Sequence, residues 1–438
     1  MLDKGAKNRG RFGPFALLLN LSLSGCQFEP AGEADHAALS GEPDPTETTA
    51  LNIGRNLPSR PSVNPNPGCE VEIRPAQELM ITDLSVVEDI QRTSWTGDLR
   101  DPVSGAWAFG RLITAMAGDQ DPSEFVIRWF QIWRNTVVLN GAEVGPRSGL
   151  TGVLEAWPRL EDGNLDLTRS PFRLLAIVNR LDLADESRAG EGRFVFGMTQ
   201  AGEPIDFAMN LEYALSHDVM STEQWAEQWH ALDDLELGTP EYNAALQTIT
   251  DAFTGVATDP TDPDFQATDI SQVVTNENEF GNGSWEMREF GPEGAGQMEM
   301  RTLPLTPAWG FNATRTLRDF INESESKILD GSYDVPLTYQ DAPFQAAAIT
   351  YSGEAWSTPP EVNNEARHML SLNSCNGCHG GETLTDFLHI EPRAEGEEST
   401  LSGFLTGIDV TDPVDGKTIR HFAELERRGD ALEAVLCE

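Results

Sequence analysis

The sequence predicts an α+β protein with a mixed or antiparallel sheet. Helical and strand-like segments occur in mixed order, with no regular β-α-β alternation. Two strand-like arms flank Gly281-Asn282-Gly283, a hairpin signal. The chain has 438 residues, 39% of them hydrophobic, with 10 tryptophans and 20 phenylalanines. That supplies real cores and excludes collagen, coiled coil and wholesale disorder.

A helix is expected at 103–117 and another at 122–134. Asp121 and Glu124 suit a capping box, Pro122 suits the first turn, and Phe125, Trp129 and Trp133 share a face. Strand-like runs follow at Phe172–Leu181, Arg193–Met198 and Ile205–Tyr213. Helices come next at 222–234 and 240–254, the second with Tyr242, Leu246 and Ile249 at helical spacing. The hairpin covers 270–290, with a further strand at 297–305. A helix at 313–329 precedes an apolar strand at Phe344–Tyr351. After Ser357-Thr358-Pro359-Pro360 come helices at 361–372 and 419–436, the last with Phe422, Leu425, Leu432 and Leu436 on one side.

The N-terminus has another logic. Lys4, Lys7, Arg9 and Arg11 precede the apolar stretch Phe12–Leu23 and then Leu23-Ser24-Gly25-Cys26. A basic start, a short apolar region and small residues before a cut site mark a secretory signal. The stretch falls short of the roughly 18–20 apolar residues of a membrane-spanning helix. It resembles the signal peptides of bacterial lipoproteins, whose lipobox ends in an acylated cysteine. That resemblance implies a signal at 1–25, lipidation of Cys26 and membrane attachment through the lipid, with Gln27 favouring the outer membrane. Residues 26–68, rich in Glu, Asp, Pro, Ser and Thr, are expected to be a disordered tether. A large α+β domain at 69–355 and a smaller section at 356–438 complete the organisation.

Charge narrows the function. Lys and Arg number 30 against 71 Asp and Glu, a net charge of −41. Nucleic acid requires a basic face and is excluded as a partner. No His-Glu-x-x-His, P-loop, dinucleotide fingerprint or Gly-x-Ser-x-Gly elbow occurs, so no catalytic residue is assigned. Asp259, Asp262 and Asp264 offer carboxylates to calcium but lack the Gly and closing Glu of an EF-hand; a polar turn is the simpler reading.

One motif carries chemistry. Cys375-Asn376-Gly377-Cys378-His379 is C-x-x-C-H, the attachment signature of c-type haem. Two thiols add to the porphyrin vinyl groups and the adjacent histidine reaches the iron as proximal ligand. The helix–CxxCHG–helix order resembles class I cytochrome c, which implies a small, mostly helical C-terminal segment, haem c and a redox protein partner. No methionine follows His379, so the distal ligand is sought in His389, then His421, with His368 and Met369 upstream. Other readings of the same residues stay open. Cys69, Cys375, Cys378 and Cys437 form two disulfides in three connectivities, or Cys69 and Cys437 pair beside a haem. A zinc site on Cys375, Cys378, His379 or His389 is the third.

The segments Ser170–Arg180, Trp285–Phe290 and Asn373–His379 together resemble a group of uncharacterised lipoproteins of myxobacteria-like Gram-negative bacteria, across most of 75–438. The likeness extends to Phe387–Arg393, which favours His389 over His421. It implies an envelope location and brings no activity. The sequence thus leads to an envelope lipoprotein carrying one haem c, with a non-catalytic protein- or glycan-binding lipoprotein stapled by disulfides as the alternative.

Overall fold

The computed structural model describes residues 68–255, 270–278, 280, 284–293, 297–350, 353–359 and 362–438. The signal at 1–25, Cys26, nearly all of the tether, the acidic segment 258–264 and the turn Gly281-Asn282-Gly283 lie outside the described residues.

An eight-stranded antiparallel sheet organises the body. Its strands are β1 (Met80–Ile81), β2 (Phe172–Asn179), β3 (Gly190–Gln200), β4 (Glu203–Leu215), β5 (Ile270–Glu277), β6 (Glu286–Glu293), β7 (Gln297–Arg301) and β8 (Ile349–Thr350). They run in sequential order from β1 to β6; β7 and β8 pair with different stretches of β6. The mixed α+β architecture with antiparallel pairing is as the sequence predicts.

Both sheet faces are covered. On β4, Phe207, Met209, Leu211 and Tyr213 enter the main core, while Ala208, Asn210 and Glu212 turn to the opposite face. On β2 a bulge between Leu174 and Ala176 shifts the register, so Leu174 and Ile177 join the main core and Leu175, Ala176 and Val178 the opposite one.

The main core is closed by α1 (Phe109–Ala117), α2 (Pro122–Arg134), α3 (Thr222–His230) and α4 (Pro240–Thr254). Their starts follow from local chemistry. Asp121 accepts the Glu124 N–H with Pro122 in the first turn, Ser221 and Gln224 form a reciprocal capping box, and Thr239 caps α4 before Pro240. Trp129 and Trp133 are almost wholly buried, the latter 4.5 Å between ring centroids from Phe290. The expected helix at 103–117 begins only at Phe109, and that at 313–329 is split into α5 (Arg315–Glu323) and a further turn of helix at Glu325–Asp330. Of the apolar strand expected at 344–351, only Ile349–Thr350 pairs with the sheet.

The opposite face is covered by the C-terminal section. Helix α6 (Asn364–Asn373) leads into the cysteine motif; an extended run then crosses the sheet to the hairpin β9 (Ile408–Thr411) and β10 (Ile419–Phe422), and α7 (Glu424–Leu436) closes the chain. The expected mostly helical, cytochrome c-like segment is not what forms. Its apolar residues do not enclose a crevice of their own: Ile390 and Phe404 pack on Leu175 and Val195, and Phe387 and Leu388 on Ala208 and Met287. The expected helix over 419–436 starts at Glu424, because residues 419–422 pair as a strand with 408–411. Leu432 of α7 reaches the main core, and Cys437 is joined to Cys69 by a disulfide.

Candidate metal centre

The cysteine motif sits where α6 ends. Ser374 caps the turn: its hydroxyl accepts from Trp356 Nε1 at 2.6 Å and donates to the Ser371 carbonyl at 2.8 Å. Gly377 is required by close approach, since a Cβ there would lie 2.0 Å from the Ser371 carbonyl oxygen. The following turn carries Cys378 and His379 onto the covered face of the sheet.

His389 arrives from the other side, on the extended run. It is fixed at both ends, its carbonyl accepting the Ser402 N–H at 3.0 Å and its Nδ1 paired with Ser402 Oγ at 2.9 Å. His379 Nδ1–H donates to the Phe387 carbonyl at 2.5 Å. Phe387 adopts a φ of 67°, a left-handed conformation uncommon for a bulky residue, and its fully buried ring stacks on Trp285. Packing therefore holds a strained residue whose carbonyl orients the imidazole.

With both Nδ1 atoms engaged, the Nε2 atoms face inward. The two rings lie 4.4 Å apart between centroids, and Cys378 Sγ–H donates to His389 Nε2 at 3.4 Å. One ligand atom each from Cys378, His379 and His389 falls within 4.8 Å of the others. Burial pushes His379 down to about 4 and His389 well below its usual value, so both are neutral donors at pH 7. Burial pushes the Cys378 thiol up, then the nearby Glu424 carboxylate and Cys375 add to it. Cys375 stands apart, its N–H donating to Thr306 Oγ1 at 3.0 Å, and burial raises its thiol to about 12. Cys375 and Cys378 remain as thiols.

These groups line a cavity of about 170 Å³ between the sheet and its C-terminal cover. Its sheet wall includes Arg180, Arg193, Glu212, Gln272, Asn276 and Glu289, and Arg428 of α7 also reaches it. Sequence reasoning missed all seven. Arg180 follows β2 and Arg428 lies on α7; for the five on β3, β4, β5 and β6 the signal was alternation, since they face away from the main core. Such positions read as solvent-facing until something covers them. Arg180 pairs with Asp182 at 2.8 Å, Arg193 with Glu191 at 2.5 Å and Glu212 at 3.0 Å, and Arg428 with Glu424 at 3.1 Å.

The other histidines lie elsewhere. His421 is exposed on β10, paired with Asp409 at 2.7 Å. His368 is buried against Glu382, beside Asp412. That trio is already neutralised: Arg367 makes bidentate bonds of 2.8 and 3.0 Å to Glu382 and reaches Asp412 at 3.2 Å. Met369 packs in the core around Phe320 and Leu370.

Haem fits this arrangement poorly. An iron between two imidazoles needs each nitrogen about 2 Å away, with the porphyrin plane between the rings, so their centroids would stand well beyond 4.4 Å. A thioether sulfur at the porphyrin rim would also lie far from an iron-bound nitrogen, whereas Cys378 Sγ lies 3.4 Å from His389 Nε2. The cavity, about 170 Å³, is several times smaller than a haem.

Compared with known protein families, curated proteins and solved structures, the chain matches none. Among the described residues no helix is long and apolar enough to cross a membrane.

Proposed function

We propose that the folded body is a zinc-binding module of an exported lipoprotein, with Cys378, His379 and His389 as its three protein ligands. The supporting observation is the convergence of their ligand atoms within 4.8 Å. A tetrahedral zinc with ordinary Zn–S and Zn–N bonds spaces sulfur from nitrogen by about 3.5 Å, and the Cys378–His389 separation is 3.4 Å. Anchoring of both Nδ1 atoms on oxygen acceptors is the outer-shell pattern of metal-bound histidine. Three protein ligands leave a fourth position for water or a ligand, the arrangement of catalytic rather than structural zinc. The export and lipid anchor rest on the run Lys4–Cys26, and its Gln27 favours the outer membrane.

A second reading, c-type haem on Cys375, Cys378 and His379 serving electron transfer with a redox partner, is favoured by the C-x-x-C-H spacing and the His379–Phe387 bond. It requires the cover to lift from the sheet. Elemental analysis, intact mass and a visible spectrum of full chain matured in a host able to attach haem decide between them. One zinc per chain with no covalent haem is expected; a covalent haem mass overturns the zinc reading.

A further inference from the structure

The sheet wall of the cavity contains a buried acidic group that the charge of Arg301 offsets only in part. Glu289 is 5% exposed and lines the cavity, yet among the described residues its side chain accepts no hydrogen bond and joins no ion pair. Its cross-strand neighbour Arg301 directs its guanidinium to the carbonyls of Ser271 and Pro292 and to Glu293. The cavity's own arginines are committed to Asp182, Glu191, Glu212 and Glu424.

Two further acceptors stand unanswered on the adjacent strand. Gln272 donates its amide to Glu212, which fixes its Oε1 as an acceptor, and that oxygen is buried without a partner. Asn276 Oδ1 is likewise buried and unpartnered. Both residues line the same cavity as Glu289. Buried acceptors cost free energy until a donor reaches them. Glu289 faces Val274 across the strands, with Gln272 on one side and Asn276 on the other; a carboxylate and one such amide oxygen are what a primary ammonium, with one positive charge and three N–H donors, would bond.

Beside its polar residues the cavity has apolar lining, with Val195, Val274 and Leu388 among it. A bare metal ion would leave that volume and surface unused. A cavity of about 170 Å³ is comparable to the roughly 150 Å³ that takes a benzene-sized molecule.

We propose that the cavity binds a small primary ammonium compound of about six heavy atoms, its ammonium on Glu289 and one of the two flanking amide oxygens, Gln272 or Asn276, and its apolar body along Val274 and Leu388 towards His379 and His389. This goes beyond the zinc reading and stands whether or not the metal is present.

The test is calorimetric titration of the full chain with n-butylamine hydrochloride at about pH 9, above the value of about 8 to which burial raises the Glu289 carboxyl, in an amine-free buffer, against 1-butanol and butyrate. Zinc content is measured on the same samples. Saturable binding of butylammonium, at least about tenfold tighter than the neutral and anionic analogues, is expected from a charge-assisted contact. Glu289→Gln, which keeps shape and volume, should remove that preference and leave zinc content unchanged. Equal binding of butanol or butyrate, no binding of butylammonium, or full preference in Glu289→Gln overturns the proposal. The unmodified protein alone decides it should the variant misfold. A chain without zinc that prefers butylammonium sinks only the zinc reading; a zinc-loaded chain without the preference sinks only this one.

Discussion

His379 and His389 face each other with ring centroids 4.4 Å apart, although one enters on the turn after α6 and the other on the extended run that crosses the sheet. Each ring is pinned by its Nδ1, to the Phe387 carbonyl and to Ser402 Oγ, so the pair is set before any ion arrives. Preorganisation of this kind separates a binding site from a chance meeting of side chains.

The two cysteines should differ. Cys378→Ser and His389→Ala are expected to lower zinc from one per chain to a small fraction, whereas Cys375→Ser, whose backbone N–H contacts Thr306, should retain it. Elemental analysis after gel filtration reads this directly. Equal losses at both cysteines would make Cys375 a further ligand of the same ion.

The Ser402 hydroxyl bonds His389, while the residue's other hydrogen bonds are made by its backbone. Ser402→Ala should weaken zinc affinity by about 10- to 100-fold, read by competition with a chromophoric chelator, while thermal stability of the metal-free protein changes little. Unchanged affinity would mean that the His389 Nδ1 contact does not orient the ring.

Glu289 sets a pH dependence. Burial raises its carboxyl to about 8, with Glu212 adding to the effect. A carboxyl whose folded value lies above its unfolded one contributes fully below the ordinary carboxylate range, and the contribution falls as pH rises to about 8. Between pH 5 and 9 the native chain should therefore lose on the order of a few kcal/mol more than Glu289→Gln. Urea unfolding in amine-free buffer measures it, and parallel profiles for the two proteins would refute it.

Arg367 is fully buried between Glu382 and Asp412. Arg367→Met would remove the cation they share, leaving Asp412 with Arg420 and the buried Glu382 with His368 alone. The expected cost is about 3–5 kcal/mol, seen as a lowered urea midpoint. A loss below about 1 kcal/mol would place the network among weakly contributing ion pairs.

The disulfide can be removed cleanly. Replacing Cys69 and Cys437 by Ser together should cost about 2–5 kcal/mol and leave zinc content intact, because neither cysteine approaches the metal ligands. A concurrent loss of zinc would show that the terminal staple also shapes the cavity.

Much of the fold was legible because periodicity and capping agreed. Asp121 with Pro122, Ser221 with Gln224 and Thr239 with Pro240 mark three helix starts in the sequence as in the structure. Strands β2 to β4 announced themselves as strand-like runs, and β5 and β6 as the arms flanking Gly281-Asn282-Gly283. The C-terminal section was harder. Ile419-Arg420-His421-Phe422 precedes a helical pattern directly, and only pairing with Ile408–Thr411 makes it a strand. At the site, C-x-x-C-H and the run around His389 stood out by residue type. Arg193, Glu212, Gln272 and Glu289 did not, because their burial depends on a cover contributed by residues far along the chain.

The bond between Cys69 and Cys437 also bears on how the body would carry load. In a chain held to a surface through residue 26, tension along the leading segment enters the body at Cys69. There it divides between two routes, one along the backbone towards β1 at the sheet edge and one across the disulfide into α7. Helix α7 is clamped by Leu432 in the main core and by Arg427 and Arg428, which tie Glu424 and Asp182 together. Peeling the edge strand therefore requires prising out the last helix as well. Cys69 and the last helix would take up such a load together.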